Sequence, residues 1–397
     1  MSKERKQNVG LSGNVLSLGF VSFFTDISTE MIFSLLPSFI LGLPGAGYAL
    51  LGLIEGVAEF LSYALRSVTG IISDQFRRRK LLLFVGYAFS TLTKPLFALV
   101  STAFEVLVIR VSDRVGKAVR TSPRDALLSE SVPAAQLGKA FGIHRTLDQL
   151  GAIIGPVLAS FLLLVLGVTI REIFWLSFIP GSLALIILWL CVKERVSTSP
   201  TRLRIHPDIR LVLKGSFSHL LLVLGMFSMG AFNFSIILAI AQEIGLSEAV
   251  IPLVYATLNV THVVIALPSG MLSDKVGREK VLLLGYGAFL LVALLLSQPI
   301  VGPAYIFLVA LVYGLYMGIG ETIQRAMIPS YAPAELTGTA YGLYYLVVGI
   351  GFFIANAVFG ALWTYAGLRV AASYCIGTSL AAIGGMLVFM KTRGRGT

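Results

Sequence analysis

Gly270-Met-Leu-Ser-Asp274-Lys-Val-Gly277-Arg278-Glu-Lys280 repeats a stretch that stands 200 positions earlier, Gly70-Ile-Ile-Ser-Asp74-Gln-Phe-Arg77-Arg78-Arg-Lys80, with Gly, Ser, Asp, Arg and Lys in register. A second block keeps the same offset: Pro133, Ala134, Gly138, Ala140 and Gly142 recur as Pro333, Ala334, Gly338, Ala340 and Gly342, with Leu137 facing Thr337 as a mismatch among them. Two separated blocks at one offset point to an internal duplication.

The chain around these blocks is too apolar for water. Of its 397 residues 56% are hydrophobic and 13% charged, and the mean hydropathy is +0.86, whereas a soluble domain carries roughly a quarter charged residues. A bilayer core about 30 Å thick needs about 20 apolar residues per helix. Twelve such spans can be placed, over 12–41, 47–73, 81–102, 104–128, 136–167, 172–192, 215–243, 247–273, 281–300, 302–328, 335–366 and 367–390. Helix is the expected conformation, because lipid offers backbone polar groups no partner and the runs are too long for barrel strands. The expected fold is an all-α membrane protein with twelve transmembrane helices in two pseudo-symmetric six-helix bundles, 1–192 and 215–397, joined by a basic linker over 193–214.

A net charge of +11 raises the question of nucleic acid, and its distribution answers it. Bases crowd alternate loops, at Lys3, Arg5, Lys6, Arg77 to Lys80, Lys139, the linker, Lys275, Arg278, Lys280 and Lys391, while the opposite loops hold Arg171 and Arg369. This asymmetry predicts both termini in the cytoplasm. No nucleic-acid module appears. Residues 1–10 are polar and basic without a cleavable signal pattern, so residue 1 is expected to stay inside, in a prokaryotic cytoplasmic membrane. Cys191 and Cys375 are too few for a disulfide framework and read as small buried apolar side chains.

At these residues the chain resembles the major facilitator superfamily over nearly its whole length. The family's loop signature, Gly-x-x-x-Asp-x-x-Gly-Arg, stands at Gly270, Asp274, Gly277 and Arg278; the first copy, with Gly70, Asp74 and Arg78, has Arg77 where Gly is usual. A carboxylate at a helix end can cap a neighbouring helix or pair with a base, so these residues are the expected gate. On span 5, Gly151-Ala-Ile-Ile-Gly155-Pro156 resembles the motif of the family's antiporters, with Ala159 and Ser160 where two further glycines would stand. Small residues allow close helix approach and Pro156 a bend, and the likeness favours export. Span 4 carries Asp113-Arg-Val-Gly-Lys117-Ala-Val-Arg120-Thr-Ser-Pro-Arg124-Asp125, which resembles a prokaryotic subgroup mostly without an assigned substrate.

An ionisable side chain within a span costs about 2.5 to 3.5 kcal/mol on insertion scales, so each needs a partner, a cavity or a purpose. Span 1 holds Asp26 and Glu30, and span 2 Glu55 and Glu59, each pair on one helical face. Arg110, Asp113, Arg114, Lys117, Arg120, Arg124 and Asp125 make a charged stripe along span 4, and His144, Arg145 and Asp148 follow on span 5. The duplication is a control: Asp113, Arg114, Lys117, Arg120, Arg124, His144, Arg145 and Asp148 face Tyr313, Gly314, Met317, Gly320, Gln324, Tyr344, Tyr345 and Val348. Charges confined to one copy argue for function over scaffold. The second half offers Glu321, Arg325 and a set of tyrosines.

The resemblance implies a secondary transporter that works by alternating access, monomeric and without cofactor or bound metal. Basic residues of span 4 would hold an anionic or zwitterionic solute, and Asp26, Glu30, Glu59, Asp113 or the pair His144 and Asp148 would carry a coupling proton. Divalent-metal efflux is the alternative within the class, opposed by the neighbouring bases. A membrane receptor is the alternative outside it. No P-loop or zinc-protease spacing supports a pump or an enzyme.

Overall fold

The computed structural model describes residues 13–75, 79–133, 136–194, 209–213, 215–300, 302–332 and 336–393. Of the described residues 87% are helical, and none is in a strand. The first half contains α1 (Gly13–Phe33), α2 (Leu36–Leu41), α3 (Tyr48–Gln75), α4 (Arg79–Thr93) with a 3-10 turn over Lys94–Leu99, α5 (Ala103–Glu130), α6 (Leu137–Leu166), α7 (Ile170–Leu176) and α8 (Phe178–Cys191). After a short α9 (Ile209–Val212) come α10 (Ser216–Ser228), α11 (Ser235–Glu243), α12 (Ile251–Val276), α13 (Arg278–Leu296), α14 (Pro303–Tyr331), α15 (Thr337–Ala366) and α16 (Leu368–Arg393).

Ten crossings among the described residues are long and apolar enough for a bilayer. The remaining two are α5, which carries too many charges to qualify by composition, and α10 with α11, which is broken midway. Together they form the twelve transmembrane helices, in two six-helix bundles. The pattern of burial is inverted relative to a soluble protein. Phe104 and Leu190 are 72% exposed while Arg110 is 0% exposed, because the outer surface is built to meet lipid and the charges turn inward. Cys191 is a correction to the sequence reading: it lies exposed at the end of α8, whereas Cys375 is buried.

Four expected spans are interrupted, the first, third, sixth and seventh. The break in the seventh shows what a membrane demands of an interrupted helix. Asn356 of α15, fully buried, accepts from the Asn233 backbone N–H at 2.8 Å, and Asn233 Oδ1 accepts from the Ser235 N–H and hydroxyl at 2.9 and 2.8 Å. The Tyr313 hydroxyl donates to the Phe232 carbonyl at 2.6 Å and that of Tyr374 to Met229. Side chains thus satisfy the freed backbone groups that lipid could not.

The halves meet along two lines, α3 against α15 and α6 against α12. In the first, Gly52 and Gly360 let the backbones touch: a Cβ on Gly360 would lie 3.2 Å from the Gly52 Cα, and one on Gly52 would collide with the Asn356 carbonyl. In the second, Asn259 Nδ2 donates to the Ala152 carbonyl at 3.1 Å. At the end of the bundle opposite the linker the halves close. There α2 packs on α11, Tyr48 stacks flat on Trp363 at 3.7 Å, the Ala49 N–H donates to Thr364 Oγ1 at 2.9 Å and the Ser160 hydroxyl to the Ala249 carbonyl at 2.5 Å. One continuous apolar core runs through this closed end from Ile27 to Phe389, and a second, smaller core lies within the first half.

Candidate functional site

Between the halves lies a cavity of about 390 Å³, within the size range of small-molecule sites. Its walls come from α1, α3, α4, α5 and α6 on one side and from α10, α12, α14 and α15 with the α10–α11 break on the other. Its lining extends from the middle of the bundle toward the linker end, at Arg124 and Asp125 near the close of α5 and Arg145 near the start of α6. With the opposite end closed, access is from the linker side.

Of the sequence-predicted residues, Asp26, Glu30, Glu59, Arg114, Lys117, Arg120, Arg124, Asp125, Arg145, Asp148, Glu321 and Arg325 border this cavity. Glu55, Arg110, Asp113 and His144 do not. Arg110 is sealed between α3, α5 and α1: its guanidinium pairs with Glu55 at 2.9 Å and stacks 3.6 Å from the Phe33 ring centre, both groups buried. Asp113 turns toward α4, accepting from the Ser90 hydroxyl. His144 is buried, and its Nε2 has no hydrogen-bond partner. The charged stripe of span 4 therefore divides into an inner lattice that joins helices and a cavity-facing row.

Within the cavity, four bases have an acid: Arg114 with Glu59 at 3.4 Å, Arg124 with Asp125 at 2.9 Å, Arg145 with Asp148 at 2.9 Å and Arg325 with Glu321 at 2.8 Å. Lys117, Arg120 and Arg66 form no ion pair among the described residues. Glu30 accepts from the Tyr255 hydroxyl at 2.9 Å, a contact from the first half to the second. Asp148 accepts from the Ser22 hydroxyl at 2.5 Å, and Asp26 borders the same cavity from α1.

Three groups escaped the sequence reading. Arg66 and Tyr63 line the cavity from α3, with the guanidinium 5.1 Å from the ring centre. Lys94 is 0% exposed, and its ammonium donates to Ser28 Oγ at 3.1 Å and to the Thr25 carbonyl at 3.3 Å. The insertion cost that marked the span 4 stripe applies equally to a lysine or arginine in spans 2 and 3, and would have flagged both bases.

The expected gate residues are only partly visible. Residues 67–78 lie outside the described side chains, and Gly70, Asp74 and Arg78 fall there. In the second copy Gly277 ends α12 at φ +98°, where a side chain would be strained. Arg278 donates to the Ala326 carbonyl at 2.6 Å and to Ser330 Oγ at 2.5 Å, tying α13 to the end of α14. Asp274 is exposed, and Gly270 has room beside it. Gly151 and Gly155 lie where α6 crosses α1, against the Phe23 and Ile27 carbonyls, and Pro156 sits inside a continuous α6. Among the described residues no group of three or more His, Cys, Asp or Glu side chains is gathered as metal ligands would be.

The sequence pattern of the Major Facilitator Superfamily matches residues 18–222 and 218–396. An MFS-type transporter from Methanocaldococcus jannaschii is 33% identical over 394 residues, covering 98% of this chain and 97% of the relative. The multi-drug resistance efflux pump PmrA of Streptococcus pneumoniae is 26% identical over 378 residues, 91% and 92% of the two chains. Among solved structures, a variant of the nucleoside transporter NupG superposes with a TM-score of 0.77 at 12% identity, over 95% of this chain and 99% of the other.

Proposed function

This chain belongs to the major facilitator superfamily, and from that premise we propose that it exports a small anionic or zwitterionic solute by proton-coupled alternating access. That it is a multi-pass membrane transporter follows from the family. The finer reading rests on one observation: a cavity at the meeting of the halves in which Lys117, Arg120 and Arg66 form no ion pair among the described residues. In low dielectric an unpaired base is costly, and a solute carboxylate or phosphate relieves that cost through charge-assisted hydrogen bonds. Export is supported by the antiporter-like Gly151, Gly155 and Pro156 and by the efflux pump among the relatives.

The coupling proton is assigned to Asp26 and Asp148, which border the cavity from α1 and α6, and to Glu30, whose bond to Tyr255 joins the halves. Asp74 and Asp274 with their glycines and arginines act as the gate at the linker side. The halves divide at 193–214, and the molecule works as a monomer in a prokaryotic cytoplasmic membrane with both termini in the cytoplasm.

The test is proton flux. Purified protein in liposomes loaded with a pH-sensitive dye is challenged with organic anions, zwitterions and cations in turn. Anions or zwitterions are expected to move protons, and an imposed pH gradient to drive their accumulation. Binding without flux would instead mark a receptor, and proton movement with divalent cations alone would mark a metal exporter.

A further inference from the structure

We infer that the cavity takes an aromatic organic anion in one fixed orientation, its acidic group on Arg66, Lys117 and Arg120 and its ring on the tyrosine wall of the second half. This rests on the reading of the cavity as the solute site and adds which class of solute fits it.

The two walls differ in kind. On the first-half side Arg120 is 4% exposed, its guanidinium lies 4.6 Å from the Tyr87 ring centre, and its Nη1 is buried with no hydrogen-bond partner. Lys117 lies in electrostatic range of Arg114, Asp26, Arg66 and Arg120, and its side chain forms no ion pair among the described residues. Three bases gathered with no ion pair of their own among the described residues leave a site for negative charge.

On the second-half side the only ion pair among the described residues is Arg325 with Glu321, which neutralises itself. The rest of that wall is largely aromatic. Tyr313 spends its hydroxyl on the Phe232 carbonyl and Tyr344 on Gln324, so their rings offer faces and not donors. Tyr316 stands 5.3 Å from Tyr313 and 5.5 Å from Phe227, and all three border the cavity. Tilted rings at such spacings are the arrangement into which another ring packs. Arg66 sits at the seam, 5.1 Å from the Tyr63 ring and 5.9 Å from that of Tyr345, so a solute that bridges the walls meets charge and ring together. A short aliphatic acid would leave the aromatic wall wet, and an aromatic cation would meet the wrong charge.

The experiment measures binding to the full chain in nanodiscs by titration calorimetry, with 1-naphthyl phosphate, cyclohexyl phosphate, inorganic phosphate, 1-naphthol and 1-naphthylmethylammonium. Naphthyl phosphate is expected to bind at least tenfold tighter than each of the others. Lys117→Gln should weaken it tenfold or more with 1-naphthol within twofold of the parent, and Lys117→Arg should restore it, which a merely structural role would not do. Tyr316→Leu should shrink the preference for naphthyl over cyclohexyl phosphate at least threefold. Equal affinity for the two phosphates, tighter binding of the cation, no binding of any probe, or indifference to Lys117→Gln would each overturn the assignment. Flux is read separately in liposomes. The expected binding pattern without transport removes the transporter reading alone, and transport of aliphatic anions with no aromatic preference removes this inference alone.

Discussion

Arg110 and Lys117 stand two helical turns apart on α5 and carry the same charge, yet their surroundings give them different work. Arg110 is enclosed with Glu55, and breaking such a buried pair by removing one partner costs about 3 to 5 kcal/mol, because the other charge is left stranded. Arg110→Gln should therefore lower the melting temperature and the yield sharply, and Glu55→Gln combined with it should recover part of the loss. Lys117→Gln breaks no ion pair among the described residues, although Asp26 and Glu30 lie in its electrostatic range, so stability should fall far less than in Arg110→Gln while solute affinity falls by about 1.5 to 3 kcal/mol if the contact is charge-assisted. Paired melting and binding measurements on both variants in one detergent separate the two roles; loss of stability in both would return Lys117 to the lattice. At the same scale, Tyr255→Phe removes the hydroxyl that joins Glu30 to the second half. Accumulation driven by a pH gradient should fall in this variant while solute exchange without a gradient persists, and equal loss of both would argue against a coupling role.

The broken seventh span shows why an element in lipid cannot be understood from its own residues. Its interruption is affordable only because Asn356, Tyr313 and Tyr374 reach in from α14, α15 and α16. Asn356→Ala should leave a buried backbone donor unpaired and cost about 1 to 3 kcal/mol, read as a lower melting temperature, whereas Asn356→Asp, which keeps the accepting oxygen, should cost less. The α12–α13 turn behaves differently. Arg278 is anchored to the end of α14 while Asp274 is exposed, as a latch would be with the linker side open. Asp274→Asn should slow turnover several-fold and leave equilibrium solute binding within about twofold, since the turn does not border the cavity. Lost binding with normal turnover would remove it from the gate.

Taken whole, the molecule is closed at one end and open toward the other, which is one of the two states that alternating access requires. Its closed end is held by a flat Tyr48–Trp363 stack and three polar or apolar contacts between the halves, while α3 and α15 cross at Gly52 and Gly360 as a pivot. Ala49→Cys with Thr364→Cys, in a chain freed of Cys191 and Cys375, should be joined by a short bifunctional thiol reagent. The joined protein should keep solute binding from the linker side and lose flux, and a reductively cleavable reagent should return it. Undiminished flux after complete joining would show that the end never opens.

The sequence by itself determined the crossings, the two-fold repeat and the inward turn of the charges, because each follows from local rules: apolar length, fixed offset and the cost of charge in lipid. Twelve of the sixteen predicted binding or coupling residues border the cavity for that reason. Only the tertiary structure decided which charges pair. Arg110 and Lys117 share one helix pattern, and the presence of Glu55 beside one and of open space beside the other depends on where α3 lies. The break within the seventh span was likewise invisible, since backbone groups freed there are satisfied by side chains more than 80 residues away, as Tyr313 is from Phe232. Arg66 and Lys94 passed unread because neither belongs to a charged stripe, and what makes each matter, a ring or a hydroxyl from another helix, is supplied only when the helices meet.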